Sequence, residues 1–284
     1  MATNASADIL VLGATGTVGR ALVQQLSAHE HAVRAATRHP DTYDGPGAPV
    51  RFEYTDPDTY AAALAGVTRV FMLAPPDMEA YGYLVPFLDA AAAADVERLV
   101  LMTAMGVEHA PPEVPLRGAE LHLQNLEVDA TIVRPNWFMQ NFLTYWRGMI
   151  EADGVMRLPA GEAATSFVDA RDIAAVSGAA LLESGHAGAA YTVTGPEALT
   201  YHEAAQVLSE AWARDIQYEP VSDDTALDLL TSAGLGTDYA EMLIGLFQSV
   251  QAGQAAPVTP DVEEVTGEPP RSLAQFATDT ADVW

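Results

Sequence analysis

The stretch Gly13-Ala14-Thr15-Gly16-Thr17-Val18-Gly19 lies between an apolar, strand-like run at residues 8–12 and a helix-like run at residues 20–28. Glycine at the three positions permits a tight turn, a close approach of the main chain to a pyrophosphate, and close contact between helix and strand. Free N–H groups at the start of the helix then face the anion. In this context the stretch predicts a dinucleotide site; the alternative is an ordinary glycine-rich turn.

Strands and helices alternate after the glycine turn. Asp56 followed by Pro57 is typical of a helix start, with Asp56 as the N-cap. The patterns predict strands at 32–37, 50–54, 69–73, 98–102 and 130–133, and helices at 56–64, 78–94 and 115–126. Apolar runs such as residues 70–73 fit strands that are buried on both faces. The expected fold is therefore α/β, with a doubly wound parallel Rossmann sheet.

The alternation is less regular in the second half of the chain. An aromatic, helix-like segment is predicted at 137–149, strands at 155–158, 191–194 and 216–221, and helices at 169–183 and 201–212. Two more helices and a stretch rich in proline and acidic residues, 256–270, follow. We expect a NAD(P)-binding Rossmann domain over 1–150 and a smaller α/β substrate subdomain over 151–284, packed on it with crossings of the chain possible.

Composition narrows the class of protein. Of the 284 residues, 49% are hydrophobic, which is enough for a substantial core. No apolar run approaches the roughly 20 residues that span a bilayer, and residues 1–7 are too polar for a signal peptide. The absence of cysteine excludes disulfides, zinc-thiolate sites and thiol catalysis. We expect a cytoplasmic protein without a membrane partner.

The charge is strongly acidic, at −26, and all 13 basic residues are arginine. Without lysine the chain has no Tyr-x-x-x-Lys pair, no Schiff base and no lysine on a phosphate. The acidity indicates a well-solvated surface and disfavours nucleic-acid binding, which needs clustered basic side chains. Arginines near the glycine turn are correspondingly informative.

The end of the second predicted strand reads Ala36-Thr37-Arg38-His39-Pro40, and residues 32–40 contain no acid. In dinucleotide sites an acid here pairs with the ribose hydroxyls, whereas an arginine accepts the 2′-phosphate. Arg38 therefore favours NADP over NAD, because a guanidinium binds phosphate bidentately. The alternative is a surface arginine in a loop. Arg34 and His39 could assist.

Ligands of doubly wound sheets lie outside the carboxyl ends of the strands. The expected lining is Ala74 and Pro75 on the ribose side, and Thr103-Ala104-Met105 with Pro135-Asn136-Trp137-Phe138 on the nicotinamide and substrate side. Thr103 either bonds a substrate oxygen or merely ends its strand. The aromatic segment holding Trp137, Phe138, Met139 and Phe142 forms either a substrate pocket or part of the core.

Candidate proton donors are few. His109, in a loop before Pro111, is a better candidate than His122, which lies on a predicted helix; Thr103 and Asn136 are the others. Asp169, Arg171 and Asp172 begin a helix, where carboxylates are mainly structural. No metal-ligand spacing and no G-x-S-x-G nucleophile motif occur, so we expect no metal.

The chain resembles the NmrA-like family of atypical short-chain dehydrogenases/reductases, and within it the NADPH-dependent quinone oxidoreductases and triphenylmethane reductases. The motifs that carry the resemblance are Gly13-Ala14-Thr15-Gly16-Thr17-Val18-Gly19, Arg38-His39-Pro40, residues 64–70, Arg134-Pro135-Asn136-Trp137-Phe138 and residues 165–174. The glycine turn alone is shared by many dehydrogenases. Its combination with the Arg-Pro-Asn-Trp-Phe segment is fairly specific.

The resemblance implies an NADP-binding domain, a small C-terminal subdomain and a substrate cleft between them. It assigns the pyrophosphate to Gly13 through Gly19, including Thr15, Gly16, Thr17 and Val18, and the 2′-phosphate to Arg38. It places Ala74, Pro75, Thr103 to Met105 and Pro135 to Phe138 along the nicotinamide half. The tyrosine-lysine pair of ordinary short-chain dehydrogenases is missing, which leaves the proton donor unassigned.

A missing acid favours an activated substrate. A hydride can add to an electrophilic carbon of a quinone or conjugated cation and water can protonate the product, whereas a simple ketone needs a positioned acid. The expected function is NADPH-dependent reduction of a quinone-like or otherwise activated conjugated small molecule, by a monomer or homodimer. The alternative is an NADP(H)-sensing regulator that acts through a protein partner. A sugar-nucleotide epimerase is disfavoured by the missing tyrosine-lysine pair.

Overall fold

The computed structural model describes residues 9–74 and 78–284. The strands in these ranges are β1 Ile9–Val11, β2 Val33–Thr37, β3 Ala48–Arg51, β4 Arg69–Leu73, β5 Arg98–Met102, β6 Asp129–Pro135, β7 Val155–Leu158, β8 Ala164–Thr165, β9 Ala190–Val193, β10 Leu199–Thr200 and β11 Gln217–Pro220. No helix in the same ranges is long and apolar enough to cross a membrane.

The helices alternate with these strands through the first half of the chain. They are α1 Thr17–Ala28, α2 Tyr60–Leu64, α3 Met78–Tyr81, α4 Leu84–Ala93, α5 Pro115–Leu123, α6 Arg147–Asp153, α7 Ala170–Leu182, α8 Tyr201–Trp212, α9 Asp223–Ser232, α10 Thr237–Gln251, α11 Asp261–Thr266 and α12 Leu273–Asp279. Short 3₁₀ turns, such as Pro57–Thr59 and Met139–Leu143, join several of them.

The central sheet has the order β3-β2-β1-β4-β5-β6-β9. All its paired strands run parallel, and Val11 lies opposite Ala35 on one side and Phe71 on the other. The order reverses between β1 and β4, so the loop after β1 emerges at the switch point where ligands of such sheets bind. This confirms the predicted doubly wound Rossmann fold.

The contacts divide the described residues into two compact units. The first unit contains the residues up to Pro135 together with Ala170–Val193 and Glu264–Gly267, and so holds the whole central sheet. The second unit contains Asn136–Asp169, Thr194–Glu263 and Glu268–Trp284. The boundary at residue 150 stays a prediction about domains; the chain passes to the second unit after Pro135 and returns for α7 and β9.

Aromatic side chains fill one core layer of the first unit. Phe52, Tyr54 and Tyr60 surround the buried ring of Phe87, with ring centroids 5.1–5.8 Å from it. On edge strand β3, Pro49 has no N–H to offer a further strand, which suits an edge position.

The second unit is built around its own aromatic core. The ring of Tyr201 contacts Trp146, Phe167 and Tyr218, with centroids 5.3–5.8 Å apart. Two small sheets, β10-β8 and β11-β7, flank this core. Helix α8 starts with a full capping box between Thr200 and Glu203, which satisfies two N–H groups at its first turn.

Several predicted elements differ from the structure. The helix predicted at 78–94 is two helices, because the chain closes i→i−3 bonds at Gly82 and Tyr83. Asp56 is at the predicted N-cap with Pro57 after it, but its side chain makes no cap hydrogen bond and lies 3.5 Å from Arg51. The segment 137–149 is not one helix, since a 3₁₀ turn precedes α6.

Candidate functional site

The glycine loop joins β1 to α1. Gly13 has φ +64°, a left-handed conformation that favours glycine, and the Gly16 N–H donates to its carbonyl at 2.8 Å. Helix α1 has no side-chain cap. The first-turn N–H groups of Thr17, Val18 and Gly19 accordingly have no acceptor among the described residues. These N–H groups and the positive end of a 12-residue helix form a site for an anion.

Gly16 and Gly19 are required because the main chain of Gly13 lies very close to them, and not because of their φ angles. A Cβ at Gly19 would overlap the Gly13 carbonyl oxygen and lie 2.6 Å from its carbon, and a Cβ at Gly16 would lie 3.2 Å from the same oxygen. Side chains at these positions would therefore occupy the inside of the turn. The loop thus fits a dinucleotide pyrophosphate, which needs close access to the main chain.

The loop is anchored over the neighbouring strands. The Leu12 N–H donates to the Phe71 carbonyl at 3.0 Å, and the Ala14 N–H to the Ala36 carbonyl at 3.3 Å. The second bond ties the glycine loop to the end of β2, two residues before Arg38. Arg38 is exposed and makes no hydrogen bond or ion pair with any described residue.

Arg34 does not assist at this site, contrary to the expectation. Its Nη1 donates to the carbonyls of Ala62, Ala63 and Ala65 at 3.3, 2.7 and 2.9 Å. These are carbonyls at the C-terminal end of α2, which a helix leaves without internal donors. Arg34 therefore has a structural role. His39, next to Arg38, is exposed.

The carboxyl ends of β5 and β6 bring four predicted residues together. The Thr103 N–H donates to Val133 at 2.9 Å, and the Met105 N–H to Pro135 at 3.0 Å. Ala104 lies between the two and is half-buried. Ala74 is half-buried just after β4, whereas Pro75 lies outside the described residues.

A buried carboxylate that the sequence did not indicate organises this edge. Glu120 on α5 is 0% exposed; its Oε1 accepts from Thr103 Oγ1 at 2.7 Å and from Arg134 Nε at 2.9 Å. Its Oε2 accepts from Arg134 Nη2 at 2.8 Å and Arg117 Nη1 at 2.9 Å. Burial raises the pKa of Glu120, but the hydrogen bonds from Arg134, Thr103 and Arg117 outweigh it and leave the pKa below its ordinary value.

This network determines what Thr103 can do. An ionised carboxylate only accepts hydrogen bonds, so the hydroxyl of Thr103 must donate its hydrogen to Glu120. Thr103 consequently has lone pairs but no proton to offer a ligand. The candidate role of Thr103 as a proton donor is therefore wrong.

The other candidate acids differ in exposure and in hydrogen-bond partners. The His109 side chain is 84% exposed and lies 4.0 Å from Glu108. His122 faces Asp89 at 2.6 Å, between α5 and α4. Asn136, in the second unit, uses its amide Nδ2 to donate to Ser166 Oγ at 2.8 Å and the Ala255 carbonyl at 2.7 Å. Both amide hydrogens of Asn136 are thus engaged in holding the second unit together, and none is left for a reaction.

The predicted aromatic pocket divides into two groups. Met139 and Phe142 are 1% and 0% exposed in the core of the second unit, so the pocket interpretation is wrong for both. Trp137 and Phe138 are only half-buried. The Trp137 ring lies 4.7 Å from that of Phe247 on α10, and Phe138 pairs with Val168 in an isolated bridge. These two side chains keep a face that a ligand can contact.

The carboxylates at the start of α7 have protein partners. Asp169 is fully buried and its Oδ1 accepts from Gln140 Nε2 at 3.0 Å, which fits a structural role. Arg171 and Asp172 also have partners. In residues 9–74 and 78–284, no three His, Asp or Glu side chains are grouped to hold a metal ion.

Comparisons with known proteins agree with this geometry. The family model for NAD(P)H-binding matches residues 13–183. An NAD(P)H azoreductase of Xenophilus azovorans is 34% identical over 95% of this chain and 96% of its own. A (4-alkanoyl-5-oxo-2,5-dihydrofuran-3-yl)methyl phosphate reductase of Streptomyces griseus is 36% identical over 97% of this chain and 99% of its own.

A solved structure supports the fold. The NADPH-dependent quinone oxidoreductase of Escherichia coli, in complex with NADPH, superposes with a TM-score of 0.84 at 22% identity, over 95% of this chain and 99% of that one. The fold and the full-length reductase relatives both indicate an NAD(P)H-binding protein. The chain belongs to the NAD(P)H-binding family and is an oxidoreductase.

Proposed function

We propose that the protein uses NADPH to reduce a quinone-like or otherwise activated conjugated small molecule. This proposal rests on two of the three candidate acids, Thr103 and Asn136, whose hydrogens are already engaged; the third, His109, is 84% exposed and lies 4.0 Å from Glu108. The Thr103 hydroxyl donates to Glu120, and the amide hydrogens of Asn136 go to Ser166 and Ala255. A substrate that needs no positioned acid is therefore favoured.

The first unit would bind the cofactor. The N–H groups at the start of α1 would hold the pyrophosphate. The guanidinium of Arg38, which has no partner among residues 9–74 and 78–284, would bind the 2′-phosphate that distinguishes NADP from NAD. Ala74, Pro75, Thr103 to Met105 and Pro135 would border the ribose and nicotinamide. Thr103, as an acceptor, suits an N–H or O–H group of the bound ligand.

The chemistry then rests on orientation. When bound, NADPH supplies a hydride, which an electrophilic carbon of the substrate accepts together with its electron pair. A neutral acceptor such as a quinone becomes an anion, which takes a proton from water, whereas a cationic dye becomes neutral and needs no proton. We propose that the half-buried rings of Trp137 and Phe138 stack on a planar substrate and fix its position, which is the main protein contribution for an activated substrate.

The names of the relatives support this substrate class. One reduces azo compounds by name, and the other acts on a dihydrofuran that carries alkanoyl and oxo groups. Both names describe unsaturated groups: an azo N=N bond in one, and a ring double bond conjugated to carbonyl groups in the other. The natural substrate of this chain is expected to share that feature.

Turnover with a substrate panel tests the proposal. The purified protein should oxidise NADPH when it is offered quinones, enones, azo dyes and triphenylmethane dyes. The loss of absorbance of the reduced nicotinamide measures this oxidation. Simple ketones should be poor substrates, because they require an acid. Tight NADPH binding with no turnover on any acceptor would instead identify a redox-sensing regulator.

Cofactor choice is tested by Arg38→Ala. We expect this variant to bind NADPH about tenfold or more weakly, since a charge-assisted contact to phosphate is lost, and to bind NADH as before. Titration calorimetry with both coenzymes measures the effect. Arg34→Ala is the matched control: it should lower thermal stability through the α2 carbonyls and leave the NADPH to NADH ratio unchanged. Equal losses of both coenzymes in Arg38→Ala would refute the role of Arg38.

A further inference from the structure

Arg20 lies beside the glycine loop, one residue after Gly19. Its guanidinium Nη2 donates to the Thr15 carbonyl at 3.3 Å, and the residue is exposed. Arg20 makes no ion pair with a carboxylate among the described residues. In a chain with 39 acidic side chains and 13 arginines, a guanidinium that stays free of carboxylates has its charge available for a ligand.

A second contact places Arg20 near the segment after β2. Burial raises the pKa of the Tyr43 hydroxyl, the positive charge of Arg20 lowers it and the negative charge of Asp44 raises it, so Arg20 and Asp44 both lie in the surroundings of Tyr43. Tyr43 itself is fixed, because its hydroxyl donates to the Pro46 carbonyl at 2.7 Å. Its ring lies over Gly45, where a Cβ would come within 2.6 Å of the hydroxyl oxygen. Arg20 therefore lies between the glycine loop and the connection that follows Arg38.

The loop and the end of β2 are also joined directly. Ala14 donates to Ala36, so Thr15, the partner of Arg20, lies next to the strand end that presents Arg38. Arg20 and Arg38 thus follow two segments that meet at the same edge of the first unit. Arg34, the other arginine of this region, donates to a carbonyl of α2.

We propose that Arg20 is a second phosphate-binding arginine, which together with Arg38 recognises the 2′-phosphate of NADPH. This inference rests on the proposed NADPH site. A phosphate monoester carries between one and two negative charges at neutral pH and offers three acceptor oxygens, more than one guanidinium fork satisfies. NADH has only a hydroxyl at that position, so Arg20 would act on coenzyme choice and not on dinucleotide binding in general.

Two variants separate charge from packing. Arg20→Gln keeps a donor for the Thr15 carbonyl but removes the charge, and Arg20→Ala removes both. We expect either variant to raise the dissociation constant for NADPH about tenfold and leave that for NADH within about twofold. The compound 2′,5′-ADP carries the 2′-phosphate without the nicotinamide. Its dissociation constant should rise by the same factor. The double variant with Arg38→Ala should bind the two coenzymes about equally.

The control is Arg51→Ala, an exposed arginine on β3 that faces Asp56. This variant should leave the dissociation constants for NADPH and NADH unchanged. Equal weakening of NADPH and NADH in Arg20→Gln would mean that Arg20 only supports the loop, and unchanged binding of both would mean that it does not touch the ligand; either result overturns the inference. If the unmodified protein binds neither coenzyme, the proposed function itself fails, which is a distinguishable result.

Discussion

Replacing Gly19 by alanine is expected to abolish NADPH binding. The added Cβ would overlap the Gly13 carbonyl oxygen and lie 2.6 Å from the Gly13 carbon and 3.1 Å from Ala14 Cα. Those atoms are main chain and cannot turn away as a flexible side chain would. The loop must therefore shift, and the N–H groups of Thr17 and Val18 would no longer both point toward the pyrophosphate. We expect the dissociation constant for NADPH and NADH alike to rise about a hundredfold or more, roughly 3 kcal/mol.

Calorimetric titration of both coenzymes measures this change, and far-ultraviolet circular dichroism checks the fold. Gly245→Ala is the matched control, because a Cβ at Gly245 on α10 meets nothing within 4 Å. It should bind as the unmodified protein does and gain roughly 0.5–1 kcal/mol of stability from better helix propensity. Gly16→Val gives a second route to the same test if Gly19→Ala does not fold, since its Cβ lies 3.2 Å from the Gly13 oxygen. Near-normal binding by a folded Gly19→Ala would place the pyrophosphate elsewhere.

The sequence predicted the central strands well because they are buried on both faces. Residues 69–73 and 98–102 form strands with the predicted bounds, and each is a continuous apolar run after its first residue, Arg69 or Arg98. The third strand was placed at 50–54, yet β3 ends at Arg51. Phe52 and Tyr54 belong to the aromatic cluster around Phe87, and the Tyr54 hydroxyl donates to the Leu73 carbonyl at 2.8 Å. Aromatic residues favour strands and cores alike, so the local pattern could not separate the two.

The sequence indicates the parts of the candidate site that depend on local geometry and misses the parts that depend on distant partners. The turn at Gly13 and the exposed position of Arg38 after β2 follow from neighbours in the chain, and their roles toward a cofactor stay predictions. Glu120 could not be found that way, because its partners Thr103 and Arg134 lie 17 and 14 residues away and meet it only through the packing of α5 on the sheet. For the same reason the sequence could not decide between a catalytic and a structural Thr103, or between pocket and core for Phe142: proton direction and burial are properties of the assembled unit.

Glu120→Ala is expected to destabilise the protein strongly. Arg134 is 9% exposed, and the substitution would leave its guanidinium without the two hydrogen bonds from Nε and Nη2, and Thr103 without its acceptor. Removing one partner of a buried ion pair typically costs about 3–5 kcal/mol. Denaturant unfolding should show a loss of this size, and cofactor binding should weaken as well, because Thr103 is no longer held. Glu241→Gln, on an exposed position of α10, should change the free energy of unfolding by less than about 0.5 kcal/mol.

The same carboxylate predicts a pH dependence. The folded protein holds the pKa of Glu120 below its ordinary value of 4.5, so the unfolded state binds a proton more readily than the folded state. The resulting stabilisation is therefore fully present above about pH 4.5 and is lost as the pH falls through the lower folded value. Glu120→Gln cannot titrate, so the stability difference between it and the unmodified protein should shrink as the pH falls below 4.5. Comparing the two proteins at each pH cancels the other acidic groups. A difference that stays constant from pH 7 to well below 4.5 would mean that Glu120 is not an ionised partner of Arg134.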